Sequence, residues 1–283
     1  MRLLLLLLTF GLCSCASSSP DTPAFFAMDT AARLAPAENT ALLAELGYAG
    51  LGGRPSTARA HAEALRSRGL RLFNAYHVAR LDDREAGLPA DLARAVDDLA
   101  GLDAVLWLAI QKVELGEASA SRPVEQAREA VVDATLRRLL EYAGPRMVRI
   151  SLYPHAGFWG DRFETCLRTV ERINDPRLTV TFNLCHWLKV DGGQADPMPL
   201  IRRALPRMAF VTINGADAGD TAKMGWDRLI QPLGRGSYDV KAFVSGVRAA
   251  GYRGPFGFQG YGIRAEPAEL LRQTMEGWRT ILR

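Results

Sequence analysis

Short apolar runs alternate with amphipathic segments along the whole chain, and no other feature constrains its fold as strongly. Eight runs read as strands: Ala24–Met28, Tyr48–Leu51, Leu70–Tyr76, Ala104–Ile110, Met147–Leu152, Leu178–Asn183, Met208–Ile213 and Phe256–Gln259. Helical patterns lie between them, at Thr40–Leu46, Thr57–Ser67, Ala90–Leu99, Val124–Tyr142, Arg162–Ile173, Pro199–Ala204, Val240–Ala250 and Pro267–Leu282. A glycine followed by an apolar residue joins helix to strand at Leu46-Gly47-Tyr48, Arg68-Gly69-Leu70 and Ala250-Gly251-Tyr252. Glycine there supplies the left-handed residue that ends a helix. Repeated strand–helix units imply a parallel sheet, because parallel neighbours need a long crossover. Eight units in 283 residues imply closure into an α/β (β/α)₈ barrel, a fold that typically takes about 250 residues. The competing open sheet calls for a glycine-rich phosphate turn after an early strand. The nearest stretch, Gly50-Leu51-Gly52-Gly53, lacks the third glycine and reads as a tight loop.

The start of the chain reads as an address. Arg2 precedes the apolar run Leu3–Leu12, then Cys13-Ser14-Cys15-Ala16 and a serine-rich linker. That is the pattern of an export signal. Leu12-Cys13-Ser14-Cys15 resembles a bacterial lipobox, with Cys15 as the residue to be lipidated; release after Ala16 as an untethered protein is the alternative. The expected division is a signal peptide over 1–15, a linker over 16–23 and one barrel over 24–283. The expected location is outside the cytoplasm of a bacterium, in the periplasm or on the cell surface, held to the membrane by the lipid anchor only. No later stretch is long and apolar enough to span a bilayer. Cys166 and Cys185 remain in the barrel with no paired-cysteine or Cys/His zinc spacing, and read as packed free thiols. Formal net charge is +4 with Lys and Arg scattered, so no nucleic-acid partner is expected.

Ligands of such barrels meet the C-terminal strand ends. Leu178–Asp191, LTVTFNLCHWLKVD, shows the logic. Val180 and Phe182 share one strand face; Thr179, Thr181 and Asn183 share the other, which suits a barrel interior. His186 follows in what reads as a loop. The same rule nominates Asp29, Asn74, Tyr76 and His77, Gln111 and Glu114, Tyr153 and His155, Asn214 and Asp217, and Gln259 with Tyr261. His77 has the opposite alternation from Asn74, so one of the two turns away. His61 lies in a helical run and reads as a surface residue. Arg149 shares parity with Ser151 and Tyr153, which points it into the barrel toward an acid such as Asp29, unless the alternation is off by one. Trp107, Phe158, Trp159, Trp187, Trp226 and Tyr261 fall near the mouth, with Trp159 and Tyr261 favoured for stacking on a sugar ring. The segment 215–238 is long for a loop and contains Lys223, Trp226 and Arg235, as a lid would.

These strand ends carry a resemblance. ELGYAGLGG (Glu45–Gly53), GLRLFNAYHV (Gly69–Val78), TFNLCHWLKVDGG (Thr181–Gly193) and the run PLGRGSYDVKAFVSGVRAAGYRGPFGFQGYG together resemble the xylose isomerase-like TIM barrels, the sugar phosphate isomerase/epimerase superfamily. The resemblance spans about Phe25 to Leu282. It implies a divalent metal held by carboxylates and imidazoles, and two carboxylates that move a proton between neighbouring carbons. The chain departs from that pattern. Asn183 stands where the family carries Asp, Asn214 where it carries His, Gln259 where it carries Glu, and Tyr153-Pro154-His155 where strand five carries Glu. An amide brings neither charge to a hard cation nor a base near neutral pH.

The resulting expectation is a carbohydrate-active barrel. It moves a proton next to the carbonyl of an unphosphorylated sugar or keto-sugar, with His186, His155 and Glu114 as the acid–base candidates. Asn74, Tyr76, His77, Gln111, Trp159, Asn183, Asn214, Gln259 and Tyr261 are expected to bind a small carbohydrate. A divalent ion, Zn or Mn, would rest on His155, His186 and Gln259; no cofactor at all is the alternative. The other reading is a catalytically silent sugar- or polyol-binding lipoprotein with a degenerate metal site.

Overall fold

The computed structural model describes residues 22–33, 35–117 and 123–283. The expected signal peptide, Cys15 and most of the linker lie outside the described residues. Eight parallel strands close into a barrel in chain order. They are β1 Phe25–Met28, β2 Gly50–Gly53, β3 Arg71–Asp82, β4 Val105–Glu114, β5 Arg149–Leu152, β6 Leu178–Asn183, β7 Met208–Ile213 and β8 Phe256–Phe258. The helices are α1 Pro36–Leu46, α2 Pro55–Arg66, α3 Ala90–Leu99, α4 Val124–Ala143, α5 Phe163–Ile173, α6 Leu184–Val190, α7 Met198–Ala204, α8 Trp226–Leu229, α9 Val240–Ala249 and α10 Pro267–Ile281. The three helix–glycine–strand joints hold, with φ of 85° at Gly47, 70° at Gly69 and 108° at Gly251.

Two apolar layers sandwich the sheet. The outer one joins strands to helices: Phe182 packs edge-on against Phe163 of α5 and stacks on Phe243 of α9. Burying such a ring is worth about 1.5–3 kcal/mol. The inner layer fills the barrel with Phe26, Met28, Phe73, Val105, Trp107, Tyr153 and Phe210. Gly257 is required there: a Cβ on it would meet the Phe26 ring at 2.4 Å.

Bulges set which side chains reach the lumen. Leu51 pairs with Leu72 but Gly52 with Asn74, so Phe73 is an extra residue on β3 and the alternation reverses after it. Phe73 stacks on Phe26 inside the barrel, and Asn74 also contacts the interior through Met28 Sδ. β3 and β4 run past the barrel as a two-strand ribbon, pairing Arg80 with Lys112 and Asp82 with Glu114. The skipped residue in that ribbon is Gln111, which is exposed.

Four local expectations are corrected. The stretch after β6 is not a loop but α6, because the Asn183 side chain accepts the His186 backbone N–H at 3.1 Å as its N-cap. His61 is buried rather than on the surface: it shares the inner face of α2 with Ala58 and Leu65, and its Nδ1 meets Thr57 Oγ1 at 3.2 Å. Arg149 is not a buried partner of Asp29. It opens β5 at the bottom rim, half-exposed, and pairs with Asp103 at 3.1 Å; Asp29 pairs with Arg54 at the other end, at 3.2 Å. Gly50–Gly53 is not a tight loop but strand β2 itself, two residues on from the expected run Tyr48–Leu51. Cys166 and Cys185 are free and buried. No described helix is long and apolar enough to cross a membrane.

Candidate functional site

At the C-terminal strand ends lies a cavity of about 430 Å³. Its centre comes from β5 and β6. Tyr153, the residue after β5, points into the barrel and stacks on Trp107 with ring centroids 3.9 Å apart. Pro154 follows, then His155. α6 begins straight after β6, so His186 on its first turn returns over the lumen. The two imidazoles stand 4.2 Å apart, centroid to centroid. Phe158 stacks on His155 at 4.0 Å, and Trp226 meets His186 edge-on at 5.2 Å.

Hydrogen bonds assign the two rings opposite tautomers. The backbone N–H of Ala156 donates to His186 Nδ1 at 3.1 Å, so the neutral His186 carries its proton on Nε2. His155 Nδ1 lies 3.2 Å from the carbonyl oxygen of Ala156, an acceptor only, so Nδ1 carries the proton and Nε2 the lone pair. Each Nε2 is left for a ligand, one as donor and one as acceptor. Burial holds the pKa of His155 below its ordinary value, and burial with the neighbouring His155 holds His186 well below it. Both are neutral near pH 7.

Tyr153 is the hub beneath them. Its hydroxyl accepts from Asn183 Nδ2 at 3.2 Å and from Gln259 Nε2 at 3.4 Å. Burial pushes its pKa far up, so it stays a neutral phenol whose O–H is a donor. Gln259 Oε1 in turn accepts from Thr30 Oγ1 at 3.1 Å. Tyr76, Tyr261, Met28 and Ile230 complete the walls. Asp29 is the carboxylate among the lining residues, and it faces Arg54.

The remaining nominated residues divide by position. Tyr76, His155, His186, Gln259 and Tyr261 meet around the cavity. Asn74, Asn183 and Asn214 are buried beneath or beside it and do not line it. Asn183 spends its oxygen on the α6 cap and on the Cys185 thiol, at 3.0 Å. Asn214 ties the following segment through the carbonyls of Gly215 and Leu229. That segment, 215–238, brings Trp226 and Ile230 to the cavity wall and is pinned by a bridge between Gly215 and Gln231. His77 points to the helices and meets Asp91 at 3.2 Å, in a separate groove with Arg54, Arg94 and Asp98. Gln111 and Trp159 line another pocket with Arg128 and Asp161. Glu114 ends the β4 ribbon beside Lys112 and does not reach the cavity. Thr30 was not nominated, although it directly follows Asp29 at a strand end. Tyr153 was nominated only by position; its central role rests on two amides far away in sequence.

A resident divalent metal does not fit this donor set as arranged. His186 Nδ1 is occupied by a backbone N–H and its Nε2 carries the proton, so His155 Nε2 is the one imidazole lone pair left, beside the neutral oxygen of Gln259, which already accepts from Thr30. Among the described residues no group of three or more His, Cys, Asp or Glu side chains could hold a metal ion.

Comparison with known proteins agrees with the barrel. The family described as Xylose isomerase-like TIM barrel matches residues 40–281. The chain belongs to that family. Among curated relatives, a 3-dehydroshikimate dehydratase of Pseudomonas aeruginosa is 28% identical over 159 residues, covering 54% of this chain and 24% of that protein. The chain thus matches about a quarter of that relative's length. Among solved structures, the 3-keto-D-glucoside 4-epimerase YcjR of E. coli superposes with a TM-score of 0.66 at 14% identity, over 92% of this chain and 100% of the other. D-allulose 3-epimerase of Methylomonas sp., in complex with D-allulose, gives 0.68 at 16% identity, over 92% and 98%. Such identities speak for the fold. This xylose isomerase-like barrel thus matches a dehydratase over part of its sequence and shares its fold with epimerases.

Proposed function

We propose that this barrel moves a proton on the carbon next to the carbonyl of an unphosphorylated sugar or keto-sugar. The observation that carries the reading is the pair of neutral imidazoles of opposite tautomer, facing one another over Tyr153. His155 Nε2, with its lone pair, takes the proton from the carbon beside the carbonyl. His186 Nε2–H and the Tyr153 O–H donate to the carbonyl oxygen as it gains negative charge. The resulting enediolate is reprotonated by the His155 imidazolium on the same carbon or, once the proton of the neighbouring hydroxyl has passed to the former carbonyl oxygen, on the neighbouring carbon. Because burial makes His155 a weak base, stabilising the oxyanion with fixed donors in a shielded site is the larger contribution. Neutral imidazole as the electrophile is an established solution for enolisation.

The cavity supports the substrate class. Its walls are aromatic faces from Phe158, Trp226, Tyr76 and Tyr261, suited to the C–H faces of a sugar ring. Its polar groups are hydroxyl, amide and imidazole, and its carboxylate is already paired, which suits a hydroxylated, uncharged ligand. The epimerase and dehydratase names of the similar proteins are consistent with carbonyl-adjacent proton transfer. The test is exchange of deuterium from D₂O into aldoses, ketoses and 3-keto-glycosides, with and without added Zn²⁺ or Mn²⁺. Exchange with at least one substrate, lost in His155→Ala, is expected. No exchange across the panel sinks the reading.

One observation favours a second reading: the lining offers neither a metal site nor an unpaired carboxylate base. The barrel would then hold a sugar or polyol without turnover. Calorimetric binding without exchange or product separates this from the first reading.

A further inference from the structure

The strand starts form the opposite face of the barrel, and charge is gathered there. A cavity of about 300 Å³ opens between Arg71, Arg149 and Arg253, over Phe73 and Phe210. Its lining holds one acid, Asp103, which is shared: Arg71 reaches it at 2.8 Å and Arg149 at 3.1 Å. Arg253 is held by the neutral carbonyls of Arg248 and Tyr252. The neighbouring turns add Arg146 with Asp97, and Arg177 with Asp175. Arg207 adds a sixth guanidinium, held by the carbonyl of Asp175 and the Asn174 side chain. Six named guanidiniums thus stand against three carboxylates, an excess of three beside a whole-chain charge of +4. At the mouth the named ion pairs are one to one, Arg54 with Asp29, Arg162 with Asp191 and Arg228 with Asp217, while Arg33 rests on the carbonyls of Thr30 and Ile263.

The same face receives the polypeptide. β1 starts at Phe25, and in a parallel barrel every strand starts on this side. The sequence upstream carries the apolar run Leu3–Leu12 and a short serine-rich linker. We propose that the N-terminal face of the barrel is a docking surface for anionic phospholipid headgroups, which holds the mouth away from the bilayer. The guanidinium fork matches a phosphate with two parallel hydrogen bonds. A rim around a central cavity suits a plane of headgroups better than it suits a duplex, which needs a groove to follow.

The test uses the chain from Thr22 onward, since the sheet closes wholly between Phe25 and Phe258. Flotation with phosphatidylcholine vesicles, with and without phosphatidylglycerol, reads the partitioning. Binding is expected only with phosphatidylglycerol and is expected to fall steeply with salt. Each arginine removed should weaken it about five-fold, so R71Q/R149Q/R253Q should lower it about a hundred-fold. D103N, which removes the shared acid, should raise it several-fold with phosphatidylglycerol and leave neutral vesicles unbound, whereas misfolding, which exposes apolar surface, would raise binding to both. R228Q at the mouth should leave it unchanged. Equal binding to neutral vesicles, indifference to both rim variants, or tighter binding of duplex DNA at equal phosphate concentration would overturn the proposal.

Discussion

Asn183 shows how one side chain ties strand, helix and site together. Its oxygen caps α6 and accepts the Cys185 thiol, while its nitrogen supports the Tyr153 hydroxyl. Asn183→Ala is expected to cost about 1–3 kcal/mol, the sum of a lost cap and orphaned partners; urea unfolding measures it. The same substitution frees α6 to shift, so exchange activity should drop with it. His155 and His186 carry a sharper expectation. His155→Ala should lower the exchange rate by about 10²–10⁴-fold, the usual contribution of a positioned acid or base. His186→Gln keeps a hydrogen-bond donor, so a smaller loss is expected there, read from initial rates at saturating substrate. That Asn183 faces inward was legible from strand alternation alone. That its amide caps a helix was also signalled, by an asparagine before the apolar run Leu184–Leu188, but the run continues a strand pattern and masks the change of period.

Elements decide what reaches the cavity. β6 and β7 match the sequence reading end to end, because alternation and a following polar residue define them. β3 and β4 do not. They continue past the barrel, and this carries Gln111 and Glu114 away from the mouth. Nothing in a single strand shows where its partner ends, so the ribbon was not legible. β8 depends on Gly257, whose place is filled by the Phe26 ring. Gly257→Val is expected to destabilise by about 1–3 kcal/mol through overpacking, measured as a lower denaturant midpoint with an unchanged slope. α8 supplies Trp226 to the cavity wall while leaving it partly exposed, at 37%. Trp226→Ala should therefore weaken sugar binding several-fold in calorimetry and change stability by less than about 1 kcal/mol.

At the scale of the whole molecule, three histidines, two buried and one half-buried, couple stability to pH. His61, His155 and His186 all have pKa values held below 6.5, with burial the largest cause in each. The unfolded chain takes up these protons first as pH falls. Stability from this source is thus intact above pH 6.5, declines as pH drops through the folded values, and levels off below them. Thermal midpoints across this range should show the decline, and His186→Gln should flatten it. Exchange activity should follow the same direction, falling on the acid side as His155 is protonated. The sequence by itself determined the barrel, the order of its strands and which ends carry polar side chains, since periodicity and glycine stops are local properties. It also marked His155, His186 and Gln259 as neighbours of one opening. Only the tertiary structure decided that Tyr153 is their hub, that the imidazoles take opposite tautomers, and that arginines gather on the far face. Those depend on hydrogen bonds and packing between residues distant in the chain, which no local pattern records.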